Sequence, residues 1–198
     1  MSLLNDKEIA ELAELDIFMP YVGEKRRSLS NGTKAISYGL SQAGYDIRLS
    51  PKEFLVFTDE GRYAGGLVLD PKKADDTIPY KAGLIHHEGS AFFELPPFSF
   101  GLGTSLELIS MPTNVMGLCD GKSTYARCGV IINVTPIEPG WSGHLTMHIA
   151  NPTPFTARIY ANEGIVQIML YRLSSDVQEA YSGHYQNQGA AVTLAAVG

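Results

Sequence analysis

Four short segments carry side chains able to do polar chemistry. The first, Asp120-Gly121-Lys122-Ser123-Thr124-Tyr125-Ala126-Arg127, sets a glycine turn ahead of two hydroxyls and two cations. Where such a turn opens a helix, the first backbone N–H groups lack helical partners and can face an anion. Ser123 adds a hydroxyl, and Lys122 and Arg127 add positive charge. The segment equally fits a capped helix with solvated basic residues. It is not a Walker P-loop, because the Gly-x-x-x-x-Gly-Lys spacing is absent. The second segment follows the apolar run Gly129 to Val134 and reads Thr135-Pro136-Ile137-Glu138-Pro139-Gly140-Trp141-Ser142-Gly143. A Pro-rich hairpin of this kind fixes Glu138 and can offer backbone donors and acceptors to a planar base; alternatively it is a rigid connection with Trp141 in the core. The third, Ala43-Gly44-Tyr45-Asp46-Ile47, reads as a tight entry into a strand. By itself it is a turn in which Asp46 binds nearby amides. The fourth, Asn162-Glu163-Gly164-Ile165-Val166-Gln167-Ile168, reads as a turn feeding a buried strand.

The histidines do not make a zinc site. On a strand, His144 and His148 share a face but stand roughly 13 Å apart, at about 3.3 Å per residue. An extended His86-His87 pair points to opposite faces, and no Cys-x-x-Cys accompanies any of them. Cys119 and Cys128 have neither zinc-type spacing nor the density of a disulfide framework, so a reducing cytosol is expected. The start of the chain has no basic segment followed by an apolar one, and no apolar run approaches a membrane span. The expected location is therefore cytoplasmic, without a membrane partner. A net charge of -6 argues against general nucleic-acid binding, which relies on clustered Lys and Arg. It leaves room for a single nucleotide in a local cationic pocket.

The elements that must position these residues are mostly strands. The 198 residues, 44% hydrophobic, suit one domain over 1–198 with a real core, and 31 Gly and Pro residues spread along the chain disfavour long helices. Asn5 with Glu8 gives a capping-box-like start, and Ile9, Leu12 and Leu15 recur at helical spacing, so residues 5–15 are expected to form one helix. A second short helix is expected from Ser123 to Cys128. Strand signals run over Glu53 to Thr58, Ala91 to Leu95, Phe98 to Leu102, Ser105 to Ile109, Val115 to Cys119, Gly129 to Val134, His144 to Asn151, Phe155 to Tyr160 and Ile165 to Tyr171. Short β-branched and aromatic runs separated by turn residues mean a mainly β sandwich, jelly roll or barrel. The Gly-, Ser-, Gln- and Ala-rich end, 181–198, has no periodicity and is expected to be a mobile tail or flap.

Taken in order, Ala-Gly-Tyr-Asp, Gly-Lys-Ser-Thr, the Gly129-to-Gly143 hairpin and the Asn162-to-Gln167 strand resemble the ordered motifs of deoxyuridine triphosphatases. They are more closely similar to the dCTP deaminase branch of that superfamily. The matching stretches are Ala35-Ile36-Ser37-Tyr38-Gly39-Leu40, Gly121 to Gly129, Asn133-Val134-Thr135-Pro136 with Glu138-Pro139, and Tyr160-Ala161-Asn162-Glu163-Gly164. The similarity extends from near the start to about Gly189. The Gly-rich fifth motif of the triphosphatases is not evident, and Tyr185-Gln186-Asn187-Gln188-Gly189 looks instead like the deaminase end.

That resemblance implies a distorted jelly roll of the deoxyuridine-triphosphatase-like β-barrel kind, a homotrimer with active sites shared between subunits, and a deoxynucleoside triphosphate substrate. It implies magnesium (Mg2+) carried on the triphosphate rather than by protein ligands, and release of ammonia without zinc. By position, Ser123 would help hold the attacking water. Lys122, Thr124 and Arg127 would lie on the triphosphate side, and the backbone at Thr135 and Pro136 would face the base. Tyr181, His184 and Gln188 would belong to the flap. Glu138 and Asp46 match acidic positions, Glu138 counted with the catalytic residues and Asp46 with those that bind substrate. The chain also departs from the family's pattern. His148 stands where the deaminases carry the glutamate that shuttles a proton between water and ring, His184 stands where a flap lysine is expected, and the flap is a few residues shorter. Histidine can serve as both base and acid near neutral pH. Three activities follow as expectations: dCTP deamination, a diphosphatase that cuts dNTP to dNMP and pyrophosphate with Asp46 or Glu138 orienting water, or a deaminase-dead nucleotide-binding protein in which His148 is an interior or interface residue.

Overall fold

The computed structural model describes residues 2–58 and 68–196. Thr58 is described, whereas Met1, Val197 and Gly198 of the expected domain and flap lie outside the described residues. In chain order the elements are β1 (Ser2–Leu3), α1 (Asp6–Ala13), β2 (Phe18–Met19), β3 (Arg26–Ser28), β4 (Lys34–Ser41) and β5 (Gly44–Phe57). There follow β6 (Tyr80–Lys81), β7 (Ile85–His87), β8 (Ser90–Leu95), β9 (Ser99–Ser110), β10 (Val115–Gly121) and α2 (Ser123–Ala126). The last are β11 (Ile131–Asn133), β12 (Ser142–Asn151), β13 (Ala157–Ala161) and β14 (Gly164–Arg172). The chain is mainly β with two short helices, as expected.

Helix α1 starts where the capping box places it: the Asn5 side chain accepts from the Lys7 and Glu8 amides while Glu8 reaches back to the Asn5 amide. It ends at Ala13, two residues short of the expected end, because Ile9 and Leu12 are buried but Leu15 is exposed. The principal sheet runs β1-β14-β5-β9-β12-β11, and β13-β8-β7 form a second. Long β5 curls the principal sheet. Its first half pairs β14 and β4, a register shift falls between Leu49 and Phe54, and its second half pairs β9 and β6. The bend is fixed by Glu107, fully buried on β9, which accepts from the Arg48 backbone at 2.9 Å and the Arg48 Nε at 2.7 Å. Burial pushes the Glu107 carboxyl up, and Arg48 opposes that shift.

The main departures from expectation lie at glycines. Strand β5 begins at Gly44, where the sequence suggests entry into a strand, and runs on without a break into the strand expected from Glu53, whereas β4 is not among the expected strands. Gly39 sits inside β4 at φ 89°, where a Cβ would come within 2.3 Å of the Glu24 carbonyl. The two strands expected at Phe98 to Leu102 and Ser105 to Ile109 are one, β9, because its glycines seat an aromatic ring. A Cβ on Gly101 would meet the Phe54 ring at 2.3 Å. Strand β11 is shorter than Gly129 to Val134, and β13 begins at Ala157, after a turn in which Asn151 Nδ2 donates to the Phe155 carbonyl. The core joins α1 to both sheets through Tyr45, Phe18, Phe54, Phe93 and Ile109. Phe18 stacks on Tyr45 at 4.1 Å between ring centroids. Both cysteines are free thiols, and burial pushes Cys119 up to about 12. No described helix is long and apolar enough to cross a membrane.

Candidate active site

The Pro-rich hairpin and the chain end together enclose a cleft. Residues Thr135 to Glu138 form one wall, β12 contributes Leu145 and Thr146, β9 contributes Leu102, and Tyr181, Tyr185, Gln188 and Thr193 form the roof. Its volume is about 430 Å³, within the size range of small-molecule sites. The hairpin is held to the principal sheet by antiparallel backbone bonds between Ile137 and Gly117. Five residues singled out in the sequence meet here: Thr135, Pro136, Glu138, Tyr181 and Gln188.

Hydrogen bonds to the hairpin and β12 explain how a segment without apolar periodicity acquires a fixed course. Tyr181 N donates to the Pro139 carbonyl at 3.0 Å, Trp141 Nε1 to the Tyr185 carbonyl at 2.7 Å, and Asn187 N to the Ser142 carbonyl at 2.8 Å. Gln186 clamps the hairpin end, its amide oxygen accepting from Ser142 N and its NH2 donating to the Gly140 carbonyl, both at 2.9 Å. Gln188 lies beside Gly143 as a parallel bridge, with its carbonyl accepting from His144 N and its side-chain amide donating to Thr146 Oγ1. Leu102, Trp141, Leu145, Thr146, Tyr185, Gln186 and Thr193 were not foreseen as site residues. The strand positions among them are legible only once the face of β9 and β12 that meets the tail is known.

His148 stands on the same face of β12 as Thr146, opposite Leu102 on β9 and Asn133 on β11. It does not line the cleft. The half-buried ring packs against Phe100 at 5.2 Å between centroids, and its buried Nδ1 has no hydrogen-bond partner. Burial holds its proton affinity below that of an ordinary histidine, so the ring is neutral at neutral pH. His184 is exposed on the tail.

The Gly-Lys-Ser-Thr segment forms a separate group. Lys122 precedes α2, but its ammonium turns inward, donating to Asp46 Oδ2 at 2.6 Å and to Ser37 Oγ at 3.0 Å. Asp46 has no exposed surface, so it positions Lys122 rather than facing an open cleft. Ser123, Thr124 and Arg127 are exposed at the start and end of α2. Thr124 also borders an open cleft with Arg27, Lys34 and Ser37, whereas none of the α2 residues lines the cleft under the tail. One chain therefore carries two separate groups of these residues: a cleft with the hairpin, and a loop with exposed hydroxyls and a cation.

A family model described as dCTP deaminase-like matches residues 4–173. A dCTP deaminase of Chlamydia pneumoniae is 45% identical over 193 residues, covering 95% of this chain and 96% of that protein. One from Albidiferax ferrireducens is 40% identical over 198 residues, covering 98% of each. Among solved structures, the 2'-deoxycytidine 5'-triphosphate deaminase of Agrobacterium tumefaciens aligns with a TM-score of 0.54 at 16% identity, which shows a shared fold. It covers 85% of this chain, and this chain spans about half of that one (47%).

Proposed function

The chain belongs to the dCTP deaminase-like family, and from that premise we propose that it hydrolyses dCTP to dUTP and ammonia in a site shared between subunits. The observation that carries the reading is the cleft under the tail, lined by Thr135, Pro136, Glu138 and Gln188 around a space of about 430 Å³, next to a strand bearing neutral His148. The half-site at α2 supplies what that cleft lacks. Ser123, Thr124 and Arg127 of a neighbouring subunit grip the polyphosphate and hold the attacking water. Exposed Phe98, Phe155 and Ile131 support an assembly of subunits, since large exposed apolar groups are common where subunits meet, and the homotrimer is the arrangement that the sequence resemblance implies.

In this reading water on Ser123 adds to C4 of the cytosine, and His148, which packs on Phe100 outside the cleft, turns toward it to take the proton. The imidazolium returns that proton to ring N3. The imidazole then takes the remaining proton from the hydroxyl now on C4 and passes it to the amine, so that the C4–N bond breaks, ammonia leaves and the carbonyl of uracil forms. A histidine kept neutral by burial is ready to accept that first proton. In this reading magnesium is carried on the triphosphate of the nucleotide rather than by protein ligands. Bound there, magnesium supplies charge neutralisation of the phosphates. Tyr181 and Gln188 close the flap over the bound molecule, and exposed His184 adds a donor at its rim.

A second reading rests on the packing of His148 against Phe100, outside the cleft, which leaves Glu138 as the one carboxylate lining it among the described residues. Glu138 would then orient water onto a phosphate and the products would be dNMP and pyrophosphate. Mass spectrometry of dCTP, dUTP and ring-modified deoxynucleotides incubated with the protein and magnesium separates the two. Deamination predicts dUTP with one ammonia per turnover. Pyrophosphate without ammonia supports the diphosphatase, and a His148→Glu variant that alone releases ammonia would show that the natural chain has abandoned deamination. Tight dCTP binding with no product of either kind rejects an enzyme, and absence of binding to any deoxynucleotide rejects the nucleotide site.

A further inference from the structure

We propose that residues 190–196 are a latch that holds the flap shut over the cleft, with Glu53 and Thr104 as its positioning residues; the consequence for dCTP rests on the function proposed above. Beyond Gln188 the chain stays on the sheet. The Ala190 carbonyl accepts from Thr104 Oγ1 at 3.0 Å, and Val192 N donates to Glu53 Oε2 at 2.8 Å. Thr193 reaches the cleft, while Leu194 and Ala195 wall an apolar cavity of about 220 Å³ with Phe57, Ile78 and Phe100. Ala196 N then donates back to the Tyr185 hydroxyl at 3.1 Å, joining the end of the latch to the flap it secures.

The two anchors stand on β5 and β9, which pair with each other in the curled sheet, so the latch is tied to paired strands of the principal sheet. Neither Glu53 nor Thr104 lines the cleft. The flap is thus tied at one end to the hairpin and at the other to the sheet, through this chain's own groups. Release of 190–196 must precede nucleotide entry and exit, so the strength of the latch sets how often the cleft opens rather than how fast the nucleotide reacts.

Hydrogen exchange of amides 186–196 without nucleotide, together with steady-state kinetics on dCTP, tests this on the full chain. Glu53→Ala and Leu194→Asp should each speed exchange there by roughly tenfold or more, the order expected when a hydrogen bond to a charged acceptor or a buried apolar contact is lost. kcat/KM for dCTP should not fall, and kcat should stay within about twofold, because the latch is closed both before nucleotide enters and after it is bound. Glu53→Gln, whose amide oxygen can still accept from Val192 N, should stay near the unsubstituted protein on both measures. Lys81→Ala, which removes the other partner of Glu53, should do the same. Unchanged exchange in both Glu53→Ala and Leu194→Asp overturns the latch, as does a fall in kcat at constant KM. A protein that neither binds nor turns over dCTP defeats the functional reading, while the exchange measurement still decides the latch.

Discussion

His148 combines a half-buried ring, a buried Nδ1 without a partner and a lowered affinity for protons. These have a consequence for stability with a definite sign. Below the ordinary histidine pKa of about 6.5, the unfolded chain takes up a proton that the folded one resists. Stability is therefore complete above that pH and is lost as pH falls from it toward the lower folded value. His148→Asn should abolish this loss. The difference in urea midpoint between variant and parent should be flat above about pH 7 and move in favour of the variant between roughly pH 6.5 and 5.5. Burial raises the Glu107 and Glu163 carboxyls in both proteins, with the opposite effect on stability, and this cancels in the difference. A pH-independent difference would refute the neutral ring. Ser123 is exposed at the first residue of α2, so Ser123→Ala should leave stability within about 0.5 kcal/mol. It should cost at least roughly a hundredfold in kcat for dCTP, the order seen when a donor at the reacting group is lost.

At the scale of elements, the segment before α2 is held in place by buried Asp46, which with half-buried Lys122 and Ser37 ties β5, the start of α2 and β4 together. Asp46→Ala would strand the Lys122 ammonium in the interior. Urea unfolding should show a loss of about 3 kcal/mol, and a loss below about 1 kcal/mol would mean that Lys122 finds another partner. The tail depends equally on Gly143 of β12. This residue has φ 150°, and a Cβ there would stand 2.7 Å from Gln188 N. Gly143→Ala should therefore lift the flap from the hairpin, seen as faster proteolysis within 181–196 in the absence of nucleotide, with the core melting cooperatively as before. Equal cleavage rates in variant and parent would show that the tail does not need this close approach.

For the whole molecule, the two proposed half-sites give the sharpest test. Glu138 lines the cleft, whereas Ser123 lies outside it on α2 of the same chain. If each active site draws on two subunits, mixing the inactive Ser123→Ala and Glu138→Ala variants and allowing exchange should restore activity at about a quarter of sites by random assembly. No recovery, with exchange confirmed by native mass spectrometry, would place every site within one subunit. The sequence by itself determined the class of fold and the family, because strand runs and their punctuation are local and the central motifs, Gly121 to Gly129 and Asn133 to Pro139, are contiguous. It also pointed to five of the residues that line the cleft. It could not tell that Gly101 and Gly103 continue a strand, since the reason is the Phe54 ring lying over them from β5. Nor could it tell that the Lys122 charge faces Asp46, 76 residues away in the chain, or that a tail without periodicity has a fixed course. Those outcomes depend on what approaches a residue from across the fold, and only the tertiary structure decides that.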